Sequence, residues 1–426
     1  MVFRFFSGDI ASRFPTSESF HGWYSWRMVC TTTFIVAILV VFSSCSSNQK
    51  DDIVVRRLHP TEENIPVITD MRYVLREDTS GAQIKLVDAE NFLEAEAFSV
   101  GAHEGENHEM LGTIMDVAAS DNTLLYMDGE YEEVRVYDQQ GTLKQVVGSP
   151  GVAPGEFSYL VAVAITSDAS KFFVADQSGT RIQIFQKRDN AYELLDMFSM
   201  PHDFLATDIC VIRDHLYLHG YLESLDLVIH KVTHAGEYVL SFGQPYQSDV
   251  HFIKSLISDD GSLVCSETYD TVLYANQTVP ILKAYDEVGT LRWQVKFGDH
   301  AQMYKQEGRN RGRPSLRYPP QLPGESSFLL LAWDPVSNSF IISYTTIGPE
   351  EEGGAELVRH YFLVPAEAGH GTYLGQHYLG TFERGRLRHP THLPRIVSLN
   401  ENYVYAVRHS PFPVIGIFER DLLFIQ

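Results

Sequence analysis

From about residue 71 onward, apolar residues recur at every second position in short runs. "EVRVYD" (Glu133 to Asp138) and "RIQIFQ" (Arg181 to Gln186) alternate with a period of two. That period places one side of an extended segment in a core and leaves the other outside, as a half-buried strand requires. Turn residues such as Gly, Asp and Asn punctuate the runs. Helical periodicity is scarce, so the pattern predicts an all-β chain.

The runs repeat. "YMDGEYEEVRVYDQQGTLKQVVG" (Tyr126 to Gly148) and "FVADQSGTRIQIFQKRDNAYELLDMF" (Phe173 to Phe198) each read as strand, turn, strand, turn, strand. Asp128 aligns with Asp176, Val134 with Ile182 and Val136 with Ile184, a constant offset of 48. Looser copies end at Gly101, Gly243, Gly298 and Gly380. Four strands in about 40 to 55 residues is the period of a propeller blade. The units fall at about 112–148, 158–198, 205–243, 252–298, 326–380 and 395–426. Six blades are therefore expected, with seven as the alternative. Segment 71–101 reads as one further hairpin, placed to complete the blade formed by the C-terminus. Ring closure of this kind removes open edge strands.

The stretch "PGEFSYLVAVAITSDASKFFVADQSGTRIQIF" resembles the NHL repeat. Gly155, Phe157, Val174-Ala175-Asp176 and Arg181-Ile182-Gln183-Ile184-Phe185 carry the resemblance. The proline usual after the Phe is missing, and the match is partial over Gly112 to Gly148. The preceding "VGSPGVAPGEF" is rich in Gly and Pro and could be taken for a phosphate loop. A phosphate loop leads into a helix N-terminus. Here a strand follows, so the segment reads as the corner between two blades.

The N-terminal region has a different pattern. Arg4, Arg13 and Arg27 precede "FIVAILVVF" (Phe34 to Phe42), followed by "SSC". The apolar run is shorter than the roughly 20 residues of a spanning helix and fits a secretory signal. "VFSSC" resembles a bacterial lipobox, which implies cleavage before Cys45 and acylation of its thiol. The predicted organisation is a lipoprotein signal peptide at 1–44, a lipidated tether at 45–70 and a propeller at 71–426. With the repeat, the chain resembles lipid-anchored six-bladed propellers of Bacteroidota. That resemblance implies a place at the bacterial outer membrane, periplasmic or surface-exposed.

The chain has 426 residues and a formal net charge of −22, from 55 acidic and 33 basic side chains. Nucleic acid is not an expected partner, because neutralising phosphates requires clustered Lys and Arg. Of the 4 cysteines, Cys210 and Cys265 lie in apparent strands. A disulfide between them is open to an exported protein, but buried free thiols are the favoured reading.

No catalytic motif is visible. "GAHEGENHEM" concentrates His103 and His108 with three glutamates, a weak candidate for a divalent cation. Two connections are basic. "DHAQMYKQEGRNRGRPSLRYPPQLPGESS" carries Arg309, Arg311, Arg313 and Arg317, and "TFERGRLRHPTHLPR" carries Arg384, Arg386 and Arg388. Both join an outer strand to the next inner strand, on either side of one blade. Such connections emerge on one propeller face, where guanidinium forks suit a carboxylate, sulfate, phosphate or acidic protein surface. The expected function is a lipid-anchored, monomeric, non-catalytic module that binds a protein or anionic carbohydrate. The alternative is a metal-dependent hydrolase or lyase with a divalent cation in the central channel.

Overall fold

A computed structural model describes residues 84–105, 109–276, 279, 281–297, 330–348, 354–367, 370–383, 386–388, 393–409 and 411–425. It also gives the backbone of four strands, Arg56–Leu58, Tyr73–Leu75, Lys305–Asn310 and Arg313–Arg317. The predicted signal peptide, Cys45 and most of the tether lie outside the described residues.

Six antiparallel sheets follow one another along the chain, each with four strands in the order inner to outer, and two carry a fifth. Their inner strands are Ile114–Ala119, Ala162–Ile165, Asp208–Ile212, Gly261–Ser266, Leu330–Asp334 and Arg395–Leu399. Each inner strand lies against the inner strand of the next blade, and the sixth lies against the first. The chain is a closed six-bladed propeller, and the seven-blade alternative is not realised.

The core explains why the ring closes. Six large apolar clusters each straddle one seam between neighbouring blades. Leu125 and Met127 of blade 1 pack with Phe172 and Phe185 of blade 2. Tyr405 and Ile415 of blade 6 pack with Ile114 and Leu124 of blade 1. A single blade could not bury both faces of its sheet; stacking in a ring covers them. Glu96–Val100 is the outer strand of blade 6, paired Ile415 with Val100 and Ile417 with Phe98. The two chain ends thus share one sheet, as the repeat count required.

Segment 71–101 is not a hairpin. Tyr73–Leu75 adds in parallel to the outer edge of blade 4. Lys85–Leu86 pairs with Phe424–Ile425. Between them and the closing strand lies a helix, α1 (Ala89–Glu94), capped by Asp88, whose Oδ1 accepts the Asn91 N–H at 3.0 Å. In "AENFLE" Ala, Leu and Glu favour a helix, the Asp88 cap starts it, and burial of Phe92 holds it in place. A second correction concerns unit 4. "HFIKSLIS" is a helix, α2 (His251–Ser258), with Ile253 and Ile257 buried one turn apart, so blade 4 begins at Gly261. A third short helix, α3 (Arg420–Leu423), ends blade 6. Its Arg420 forks onto Asp334 of blade 5 at 3.1 and 2.7 Å.

Cys210 and Cys265 form a disulfide between the inner strands of blades 3 and 4, where free thiols were the favoured reading. Each cysteine is on an inner strand, and the seam brings those strands side by side. Pairing partners in neighbouring repeats is what the sequence spacing alone could not reveal.

The Gly-Pro stretch is a blade-to-blade corner held by carbonyl groups. Buried Arg181 pairs with buried Asp176 and donates to the Val152 and Glu156 carbonyls at 2.7 and 2.9 Å. Gln183 donates to the Glu156 carbonyl and accepts the Gly155 N–H, both at 2.8 Å. Gly148, at φ +83, lies where a Cβ would strike the Phe157 ring. These are the residues of the NHL-like motif, and here they fasten the corner.

Candidate functional site

Strand direction fixes which loops share a face. In each blade the outer strand ends at the edge where the next inner strand begins. The outer-to-inner connections 101–113, 148–161, 200–207, 243–260, 298–329 and 384–394 therefore leave one face, called here the connection face. On the opposite face the turns of blades 1 to 5 are short, from two residues at 213–214 to six at 366–371, and blade 6 carries α1, α3 and the Lys85–Leu86 and Phe424–Ile425 pair there. The connections carry added structure: α2 lies in 243–260, and a hairpin, Lys305–Asn310 with Arg313–Arg317, lies in 298–329.

At the connection-face end of the axis is a cavity with about 610 Å³ of empty space that includes its opening to solvent. Its polar lining comes from the first turns of different inner strands: Asp116, Asp208, Ser262 and Arg395. Both carboxylates are tied across seams. Asp116 accepts the Val163 N–H and Asp208 the Leu263 N–H, each at 2.9 Å. Burial, followed by the charge of Asp116, pushes the Asp208 carboxyl up to about 7. Burial and the nearby Arg359 guanidinium pull Arg395 down to about 10, against the attraction of Asp116. The cavity can hold a small polar group between carboxylate, hydroxyl and guanidinium.

These axial residues were not singled out from the sequence. A signal existed: "IMDVAA" and "TDICVI" each break an apolar inner strand with Asp near its start. "PRIVSL" does the same with Arg in blade 6.

The basic residues fall into two groups. Arg309, Arg313 and Arg317 lie on the backbone of the inserted hairpin. Arg56–Leu58 of the tether joins that hairpin as a third strand, with Arg56 opposite Glu307 and Arg57 opposite Gln306. The register places Arg57, Arg313 and Arg317 on one face of this small sheet. Arg56 and Arg57, read as tether, thus belong with the basic insertion. Arg386 and Arg388 lie on Arg386–Arg388, a fifth strand added to blade 5 rather than a loop, and Arg386 is opposite Glu383. Arg311 and Arg384 lie outside the described residues.

His103 is exposed, 3.7 Å from Glu104, with its ring against Phe412. His108 lies outside the described residues. Among the described residues, no group of three or more His, Cys, Asp or Glu side chains is placed to hold a metal ion.

No protein-family model matches the chain, and no curated protein matches it. Among solved structures, it is similar in fold to a candidate exported protein of Bacteroides fragilis, at 11% identity over 78% of this chain and 86% of that one, with a TM-score of 0.47. A member of the DUF4221 family from Bacteroides vulgatus matches at 10% identity over 79% and 98%, also with a TM-score of 0.47. The WD40 β-propeller domain of Doa1 matches at 13% identity over 79% and 97%, with a TM-score of 0.41. At these values the likenesses carry no inference about function.

Proposed function

We propose that this propeller is a lipid-anchored, non-catalytic binding module of the bacterial envelope. It engages a protein or anionic carbohydrate through its connection face. The observation that carries this reading is the asymmetry of the two faces. Among the described residues, short turns close the other side in blades 1 to 5 and added structure there is confined to the blade 6 closure, whereas the connections between blades, α2 and the inserted hairpin included, leave this one. Loops that do more than connect are where binding surfaces are built on a rigid scaffold. Arg309, Arg311, Arg313, Arg317, Arg384, Arg386 and Arg388 supply the anion-directed part of that face, in a protein that is otherwise strongly acidic. Guanidinium groups take carboxylate, sulfate or phosphate as two parallel hydrogen bonds.

Anchoring is assigned to Cys45, with export to the outer membrane. The Phe34 to Phe42 run and the cysteine that follows support it. The Cys210–Cys265 disulfide agrees with an oxidising compartment.

The test is capture by crosslinking from envelope extracts, with wild type beside a variant in which Arg311, Arg313, Arg386 and Arg388 are changed to Glu. Loss of a captured partner in the variant supports the reading. Equal capture by both removes the arginines from it. Cys45→Ser should move the protein from the membrane to the soluble fraction.

A further inference from the structure

Five blades carry a buried polar side chain at the corresponding point of their third strand: Arg135, Gln183, His230, Lys283 and His360. In four of them the side chain is tied down. Arg135 donates to the Met110 carbonyl at 2.8 Å and Gln183 to that of Glu156 at 2.8 Å. His230 bonds the Ser241 hydroxyl at 2.7 Å and the Gly220 carbonyl at 3.0 Å. His360 bonds the Thr346 hydroxyl at 2.8 Å and that of Tyr373 at 3.1 Å.

Lys283 of blade 4 is the exception. It is 9% exposed, and among the described residues its Nζ makes no hydrogen bond or ion pair. It lines a pocket with about 330 Å³ of empty space that includes its opening, walled by Gln244, Tyr246, Tyr274, Asn276, Val279 and Ile281. Among the described residues, no carboxylate lines that pocket. Blade 3 shows the contrast: its buried Lys231 donates to the Glu287 carbonyl at 3.0 Å, with the Glu287 carboxylate at 3.9 Å.

We propose that Lys283 is a capture site for small aldehydes, which it holds as a Schiff base in this pocket. An amine that is desolvated and has no ion-pair partner among the described residues is in the setting that makes lysine a nucleophile. The Nζ lone pair attacks the carbonyl carbon. The two amine hydrogens leave with the carbonyl oxygen as water, and a C=N bond remains. No oxidant or reductant is consumed. Burial alone pulls Lys283 down to about 8, so a larger share of it is neutral near pH 7 than for an ordinary lysine. The chemistry is that of an amine and not of the arginines, so its test reads out independently of the connection-face reading.

The test uses the unaltered protein. It is treated near neutral pH with propanal or with bulky naphthaldehyde, imines are trapped with cyanoborohydride, and each lysine is followed by peptide mass spectrometry. The expected result is that propanal modifies Lys283 on the order of tenfold faster than exposed Lys187. Naphthaldehyde should modify Lys187 and spare Lys283. Propanal labelling of Lys283 no faster than of Lys187, or equal labelling of Lys283 by both aldehydes, would overturn the proposal.

Discussion

Asp208, on the inner strand of blade 3, accepts the backbone N–H of Leu263 on the inner strand of blade 4 at 2.9 Å. Its other oxygen accepts the Ile209 N–H at 2.8 Å. The carboxyl thus spans a seam beside the axial cavity, where burial and Asp116 push it up to about 7. An unfolded Asp titrates near 4. The folded state therefore holds this proton more tightly, and the group's contribution to stability is greatest below pH 4. It fades as pH rises through about 7. Asp208→Asn keeps a neutral side chain at every pH. In thermal melts the difference between Asn variant and wild type should shift in favour of the variant from pH 5 to pH 8. A pH-independent difference would mean that Asp208 is not held protonated.

The disulfide joins Cys210 and Cys265, 55 positions apart in sequence, and encloses nearly all of blade 3. Loop-closure entropy for that length gives about 4 kcal/mol. Cys210→Ser with Cys265→Ser should lower the unfolding midpoint accordingly. Thiol titration of the untreated, unfolded chain should find neither cysteine free.

The Arg181–Asp176 pair predicts a larger effect in blade 2 than surface ion pairs would give. Arg181→Leu leaves a buried carboxylate and takes donors from the Val152 and Glu156 carbonyls. The expected loss is about 3–5 kcal/mol in denaturant unfolding. A loss below about 1 kcal/mol, the size of an exposed pair, would mean the corner is held by something else.

Much of the ring was legible in the sequence, because each blade repeats the same two-residue alternation and ends on a turn. Asp128 and Asp176 are aligned by sequence and occupy equivalent strand ends in the structure. What escaped was whatever did not repeat. "AENFLE" and "HFIKSLIS" are single turns or two of helix, too short to show a period beside strands. The fifth strand at Arg386–Arg388 reads as a loop because nothing local says it will pair back onto 381–383. The axial Asp116 and Asp208 meet only because six distant inner strands converge.

The helix that replaced the expected hairpin makes its own prediction. Phe92 of α1 is fully buried, with its ring 4.8 Å from Phe418 and 5.2 Å from His377. It holds the N-terminal segment against blades 5 and 6, just ahead of the closing strand. Phe92→Ala should cost about 3–5 kcal/mol. Hydrogen exchange should speed up in Glu96–Val100 and Val414–Glu419 before it does in blade 2. Uniform acceleration would show that α1 does not guard the closure.

The connection face is the proposed working surface of the propeller. The most direct test places a photo-reactive residue at Tyr159 or Arg388 on that face and at Asn190 on the other, in the protein as expressed in its own cells. The predicted result is one and the same crosslinked partner from both connection-face positions and none from Asn190. Adducts from Asn190 with none from Tyr159 or Arg388 would contradict it.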